Sequence, residues 1–489
     1  MFASWSMADR TAVAERGTAM FKAPRVVLGS TALLLALTAC GGGDDSTADT
    51  TVAAAPTATQ VPAATGAPAP TAAPAATEAP VAPAATAAPA PTESSAAPAD
   101  EESAVQQTLA WSPGTAPAGG DPIRVGFINL EGGAVSLPEL RIGAETAAAY
   151  ITNNGGINGR PLEIVPCNVD GTPEKSIDCA NRLVSDGVSV IMEGYDPSSD
   201  AILPVLESAG IPLTGHAAFG PQQQVADNAF FFGTANPTFT AGFLDHYAKS
   251  GADSMMLFLP DNAAFRASAD NEVTPIANEL GLDVNTTFYN PASPDWAALA
   301  TSALAENPDV VATVAPDGDC LGLLSALRSV NFPNEIFLGA CSLFMVADPE
   351  GAVGVSTTSD LWKPTDLDTP PQNKRDELQL YIDVMTEAGH ADVINGFAWN
   401  YFSDTWNLAA VLTSIQDDVT PESITTAFRA TKDLDSFMGP SITCDHTAWP
   451  GESACGNQVL LYKVEEGGTQ KAITPSFIDT SPYIAVLGG

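Results

Sequence analysis

Seven cysteines, four histidines and a large excess of carboxylates are the chemically capable groups of this chain. Asp317 and Asp319 sit two apart in the segment Ala315-Pro316-Asp317-Gly318-Asp319-Cys320. A carboxylate pair acts as acid and base only across a set gap, which spacing in the chain does not supply. No Gly-x-Ser-x-Gly elbow, His-Glu-x-x-His helix, phosphate-cradling Walker loop or Gly-x-Gly-x-x-Gly turn occurs, so nucleophile, zinc and nucleotide chemistry have no carrier. A metal cluster is disfavoured as well, because no Cys-x-x-Cys pair is present and histidine is scarce. The sequence predicts a protein that is not an enzyme and holds no cofactor.

The cysteines read differently. Cys40 stands apart near the N-terminus, leaving Cys167, Cys179, Cys320, Cys341, Cys444 and Cys455. An even count in an exported chain points to disulfides, with 15 possible connectivities among six cysteines. Nearest-neighbour pairing is the simplest of them: Cys167–Cys179, Cys320–Cys341 and Cys444–Cys455.

Export itself is read from the first forty residues. Lys22 and Arg25 precede the apolar run Val26 to Leu37, which ends in Leu37-Thr38-Ala39-Cys40. That order is a secretory signal, and the run is short for a membrane span. The ending resembles a bacterial lipobox, so 1–39 is expected to be a signal peptide and Cys40 the lipidated residue that holds the chain to a membrane. Met20 lies at the more usual distance from such a run. Residues 40–120 are rich in Ala, Pro and Thr, with too little to bury against their ordering entropy, and are expected to form a disordered tether. The formal charge of −39, from 58 acidic and 19 basic residues, excludes nucleic acid as a partner, since phosphate binding needs clustered Lys and Arg. It fits a solvated acidic surface.

The elements that must position any site begin at Ile123. Strand-like runs cover Arg124–Leu130, Leu162–Val165, Val188–Met192, Pro212–Thr214, Met255–Leu259, Asp283–Phe288, Val310–Val314 and Ile336–Leu338. Helical stretches alternate with them: Pro138–Thr152, Glu174–Val184, Ala201–Ala209, Thr238–Lys249, Val273–Leu280, Trp296–Glu306 and Leu321–Ser329. Longer helices follow at Asn395–Ile415 and Glu422–Thr431, then a strand-rich tail, Ser441–Val486. This alternation predicts an α/β fold with doubly wound parallel sheets. It occurs twice, which places a crevice between the carboxyl ends of two sheets, where ligands of such folds bind.

Several segments then match one family in register. Ile123-Arg124-Val125-Gly126 with Asn153-Asn154-Gly155-Gly156-Ile157-Asn158-Gly159-Arg160-Pro161, the helix Pro173-Glu174-Lys175 to Leu183-Val184, and Glu207-Ser208-Ala209-Gly210-Ile211-Pro212 resemble the leucine/isoleucine/valine-binding proteins. These are type I solute-binding proteins of ABC transporters. The resemblance implies two lobes joined by a three-crossing hinge that closes on ligand. Its crossings are expected near Phe232–Pro237, Ser356–Pro364 and Thr443–Trp449. Lobe one would hold 121–234 and 362–444, lobe two 235–361 and 445–489. It also implies a monomer that captures a small polar solute and delivers it to permease subunits; the alternative is a ligand-sensing receptor of the same fold.

The resemblance locates the ligand on loop ends. From lobe one these are Glu131 and Gly132; Tyr195, Asp196 and Ser198; and Thr214, His216 and Ala217. Ser198 equally suits a helix cap, and a lone histidine equally suits a structural role. From lobe two they are Phe265, Asp317, Asp319 and Ser342, the two aspartates as partners for a ligand cation, with Tyr401 covering the hinge side. The family's Thr place is taken by Ala218, a departure in the lining.

Overall fold

The computed structural model describes residues 110–488, apart from 133, 134 and 340. The signal segment, Cys40, Gly133 and most of the expected tether lie outside the described residues.

Sheet one is built from β1 (Ile123–Leu130), β2 (Leu162–Val169), β3 (Val190–Glu193), β4 (Leu213–Gly215) and β5 (Ala229–Thr234). Sheet two takes β6 (Ser254–Pro260), β7 (Asp283–Tyr289), β8 (Val310–Thr313), β9 (Glu335–Phe337) and β10 (Ser356–Ser359). After a small ribbon of β11 (Leu434–Asp435) and β12 (Ser441–Ile442), β13 (Ala454–Gly456) returns to sheet one. The strands β14 (Gln458–Val464), β15 (Gln470–Ala472) and β16 (Ile478–Asp479) complete sheet two.

Sheet one runs β13-β5-β4-β3-β1-β2, with every pairing parallel. Sheet two runs β15-β14-β10-β9-β8-β6-β7, parallel from β10 to β7 and antiparallel around β14. β1 shows why such strands read as continuous apolar runs: Val125, Phe127 and Ile128 are fully buried, because helices cover both faces. Its odd residues Val125 and Phe127 meet Leu140, Ile151 and Leu412 on one face. Ile128 meets Leu183, Ile191 and Phe231 on the other.

The helix stops follow the sequence. Gly210, at φ 66°, ends the helix Leu203–Ala209 in the left-handed conformation that favours glycine. Gly143 acts by size instead. A Cβ there would stand 2.1 Å from the Ala398 carbonyl oxygen, so its absence lets the helices Pro138–Asn153 and Ala398–Thr413 pack closely. A helix passed over in the sequence, Gln372–Glu387, buries Leu378, Tyr381 and Met385 among Trp362, Phe402 and Tyr462.

Two corrections concern boundaries. The stretch 40–120 was expected to be disordered to its end, but from 110 onward it is docked. Trp111 is buried, donates its indole N–H to the Gly156 carbonyl at 2.9 Å, and packs edge-on to Trp406 at 4.8 Å. The amides of Gly114, Ala118 and Gly119 bond to the carbonyls of Asn154, Thr152 and Gly159. One aromatic group large enough to cover the core edge overrides the composition around it.

The third crossing also moves. The chain leaves sheet one at Thr234, joins it again at β13 and leaves by the single residue Asn457, rather than within 443–449. β13 is a three-residue edge strand that follows β5, and the Cys444–Cys455 disulfide fastens it to the preceding segment. The crossings lie side by side: the Ala235 amide donates to the Gly456 carbonyl at 3.2 Å, and the Thr234 amide donates to Asp360 Oδ2 at 3.0 Å, just after β10. Cys167–Cys179 and Cys320–Cys341 are likewise bonded, one in each lobe.

Candidate functional site

Parallel strands deliver their following loops to one edge. At the carboxyl end of sheet one this brings together Asn129 and Glu131 after β1, Tyr195 and Asp196 after β3, and His216 to Phe219 after β4. The helix Ala398–Thr413 points its first turn at the same edge, since the Tyr401 hydroxyl donates to the Gly194 carbonyl.

His216 is the centre of a buried charge cluster. Its Nδ1 lies 3.2 Å from Asp404 Oδ1 and its Nε2 lies 3.2 Å from Asp360 Oδ1. Burial alone would lower its pKa, but the two carboxylates outweigh that and lift it well above the ordinary histidine value. Each ring nitrogen faces a carboxylate oxygen, an arrangement that suits the doubly protonated ring donating from both sides. Asn400 lies 2.7 Å from Nε2 through its amide nitrogen, while its oxygen is buried without a partner. Turning that amide over gives the oxygen a proton to accept and removes a donor–donor contact, so we assign it so. Burial opposes ionisation of Asp360, yet His216 holds its pKa below the usual range. Burial wins at Asp404, whose pKa is raised. Because Asp360 also accepts the Thr234 amide, the cluster ties lobe one to two of the crossings.

A second feature is how the mouth amides are spent. The Tyr195 amide donates to Asn129 Oδ1 at 3.1 Å, and the Ser198 amide to Asp196 Oδ1 at 2.9 Å. The Phe219 amide donates to Gln223 Oε1 at 3.2 Å, and those of Gln222 and Gln223 to Asp200 Oδ1 at 3.1 Å. In lobe two the Phe265 amide donates to Asn262 at 3.0 Å, and Ser342 and Leu343 donate to Asp317 Oδ1 at 2.6 and 2.9 Å. Helix starts and loop amides are the usual receptors for a ligand's anionic group. Here the protein's own side-chain oxygens sit on the amides just named.

A model of the periplasmic binding protein family matches residues 122–469. The chain belongs to that family. Within it, this binding protein is a type I solute-binding protein of the leucine/isoleucine/valine-binding group. It is 24% identical to the Leu/Ile/Val-binding protein of Escherichia coli K12 over 319 residues, 61% of this chain and 79% of that one. It is 25% identical to the chemotactic signal transduction system substrate-binding protein BasB of Halobacterium salinarum, over 49% of this chain and 61% of the relative. The chain spans about half to three fifths of the length of several of its curated relatives. A solved ABC transporter substrate-binding protein from Aeropyrum pernix superposes with a TM-score of 0.62 at 18% identity, covering 75% of this chain and 98% of that one. That likeness carries the two-lobed parallel-sheet fold.

Within this binding protein the sequence-predicted site residues separate into two groups. Several are engaged with other protein groups. Glu131 receives Arg141 through both oxygens, at 2.9 and 3.0 Å, as well as Asn129. The Ser198 hydroxyl donates to the Gly171 carbonyl at 2.7 Å, and the fully buried Thr214 hydroxyl to the Phe230 carbonyl at 2.7 Å. Asp196 is buried and its pKa is raised by burial. The Ser176 hydroxyl, which could answer its unpartnered Oδ2, donates instead to Thr172. Asp317 caps the helix Leu343–Ala347, Asp319 accepts the Tyr289 hydroxyl at 2.7 Å, and Tyr401 is spent on Gly194.

The others are partly open. Tyr195 packs edge-on to Phe219 at 4.9 Å, and Ala217, Phe265 and the Ser342 side chain are half-buried. Gly132 lies in the loop after β1, its amide bonded to the Ser136 hydroxyl at 3.1 Å. Sequence reasoning missed Asp360, Asp404 and Asn400. The available signal was Asp404 itself, the single charged residue inside the apolar helix Ala398–Thr413. Among the described residues no group of three or more His, Cys, Asp or Glu side chains is placed to hold a metal, and no helix is long and apolar enough to cross a membrane.

Proposed function

We propose that this chain is the extracytoplasmic receptor of an ABC importer, capturing a small solute between its lobes and presenting the closed form to permease subunits. The observation that carries the reading is the set of three adjacent crossings at Ala235, Asp360 and Asn457, a narrow band about which the two lobes could close. Tyr195, Ala217, Phe265 and Ser342 are the side chains we place against the solute. Lipid on Cys40 holds the monomer to the outer face of the membrane, and the protein performs no chemistry on what it binds.

A solute that binds the closed form raises the melting temperature by mass action. A thermal-shift screen over amino acids, amides, ureas and aromatic amines, followed by small-angle scattering with each hit, tests this. A hit that also contracts the particle supports capture by closure; failure of every hit to contract it removes closure. The similarity to BasB favours a second reading, in which the same closed form addresses a signalling receptor. Co-purification of the lipidated protein with a permease or with a receptor separates the two.

A further inference from the structure

The second crossing does not simply pass from one sheet to the other. Asp360, the residue after β10, turns its carboxylate to sheet one, where Oδ1 lies 3.2 Å from His216 Nε2 and Oδ2 accepts the Thr234 amide at 3.0 Å. By Lys363 the chain is back on sheet two. The Lys363 amide donates to the Tyr462 hydroxyl of β14 at 3.0 Å. Its ammonium lies 4.9 Å from the centre of the same ring and donates to the Gln470 side-chain oxygen. The Thr365 hydroxyl donates to the Gln470 carbonyl at 3.2 Å. Asp366 Oδ2 accepts the Ala472 amide of β15 at 2.9 Å, while its Oδ1 accepts the Thr369 amide at 3.1 Å. Between these ends Trp362 is buried in one apolar cluster with Phe402 of the helix Ala398–Thr413 and with Leu460 and Tyr462 of β14. Residues 360–366 thus hold both sheets, through two buried carboxylates that face opposite ways. Burying a carboxylate is costly unless donors meet its oxygens, and here a backbone amide of each sheet does so. Ala235 and Gly456, by contrast, join the first and third crossings to each other.

Resting on the interlobe reading above, we infer that residues 360–366 are a strap that sets the angle between the lobes, with Asp360 its fastening to sheet one and Asp366 its fastening to sheet two. A segment that merely linked the sheets would absorb rotation at any of its bonds. This one turns only between its fastenings, where the Trp362 ring is packed against groups of both lobes. Closure is therefore rotation about a line that the strap fixes, and releasing either end opens angles that the parent does not visit. Neither carboxylate has to touch the solute for this.

The test is the distribution of distances between one spin label on each lobe, measured by pulsed electron resonance on the full chain without solute. Lys175 and Ala305 are exposed label positions on the helices Pro173–Ser185 and Trp296–Glu306, and labels on non-cysteine side chains leave the disulfides intact. Asp366→Ala and Asp360→Ala should each raise the population outside the parent's main distance peak at least about fivefold, the response of a two-state balance to one lost buried contact. Lys363→Met, which keeps an unbranched stem and drops the ammonium, should act in the same direction and serves if Asp360→Ala does not fold. Asp366→Asn keeps an oxygen for the Ala472 amide and should restore the parent distribution. Leu324→Ala empties a buried site in the core of sheet two, costs stability without touching the strap, and should leave the distribution unchanged. Parent-like distributions in the strap variants that fold, equal broadening in Leu324→Ala, or failure of Asp366→Asn to restore the parent overturns the inference. If a solute that raises the melting temperature moves the peak while the strap variants do not, the strap fails and interlobe closure stands. If neither moves it, the interlobe reading fails as well.

Discussion

His216 Nδ1 meets Asp404 Oδ1 at 3.2 Å across 188 residues of chain, and its Nε2 meets Asp360 across 144. One histidine ring thus joins a lobe-one helix to the second crossing. Replacing His216 with alanine leaves two buried carboxylates facing each other unneutralised. The expected loss is about 3–5 kcal/mol of stability, read by denaturant unfolding. A loss below about 1 kcal/mol would show that the cluster is solvated and does not brace the hinge.

The same cluster sets a pH dependence. The folded pKa of His216 lies well above its unfolded value, so its stabilisation is complete below the unfolded pKa and is lost as pH rises through the folded one. Glu193 has the same sign: burial, partly offset by Gln223, raises its carboxyl well above the ordinary value, and ionising it at higher pH opposes folding. Thermal melts should therefore fall from neutral toward alkaline pH, and the His216→Gln variant should show a shallower decline. A melting temperature that rises over that range is the contrary result.

Gly143→Ala puts a methyl group 2.1 Å from the Ala398 carbonyl oxygen. Backbone cannot give way as a flexible side chain does, so the helices must separate, at a cost of about 1–3 kcal/mol. Gly251→Ala, with nothing within 4 Å but φ at 92°, is the control for conformational strain without a clash. Comparing their unfolding midpoints isolates the packing cost.

Trp111→Ala should cost about 3–5 kcal/mol, the usual range for emptying a buried tryptophan site. Limited proteolysis then cuts the variant after residue 111 faster than the parent. Equal cutting rates would return 110–120 to the tether.

Most strands and helices were legible because they carry a period and a stop. Trp296–Glu306 is found as read, and the eight strand runs shift by only a few residues. The helix Gln372–Glu387 was passed over because its charged start, Lys374-Arg375-Asp376-Glu377, reads as a solvated linker, although Leu378, Tyr381 and Met385 carry its apolar face. The third crossing was illegible for another reason. A three-residue strand joined to the next by Asn457 has no gap in the apolar pattern to betray a change of sheet.

The site was less legible than the fold. Loop ends could be located from strand ends, but which donors remained unspent depended on contacts such as Asp317 with Ser342, set by the ends of two different strands. His216 stood out by type, while its partners Asp360 and Asp404 did not, because a carboxylate in so acidic a chain carries little information until its neighbours are known.

The docking of Trp111 has a mechanical side. Its contacts, Gly156, Tyr150 and Trp406, all belong to lobe one. A pull arriving along the backbone at residue 110 therefore enters the molecule on one side of the pivot. If the proposed N-terminal anchoring and interlobe closure hold, lobe one is the moored half and lobe two the half that swings.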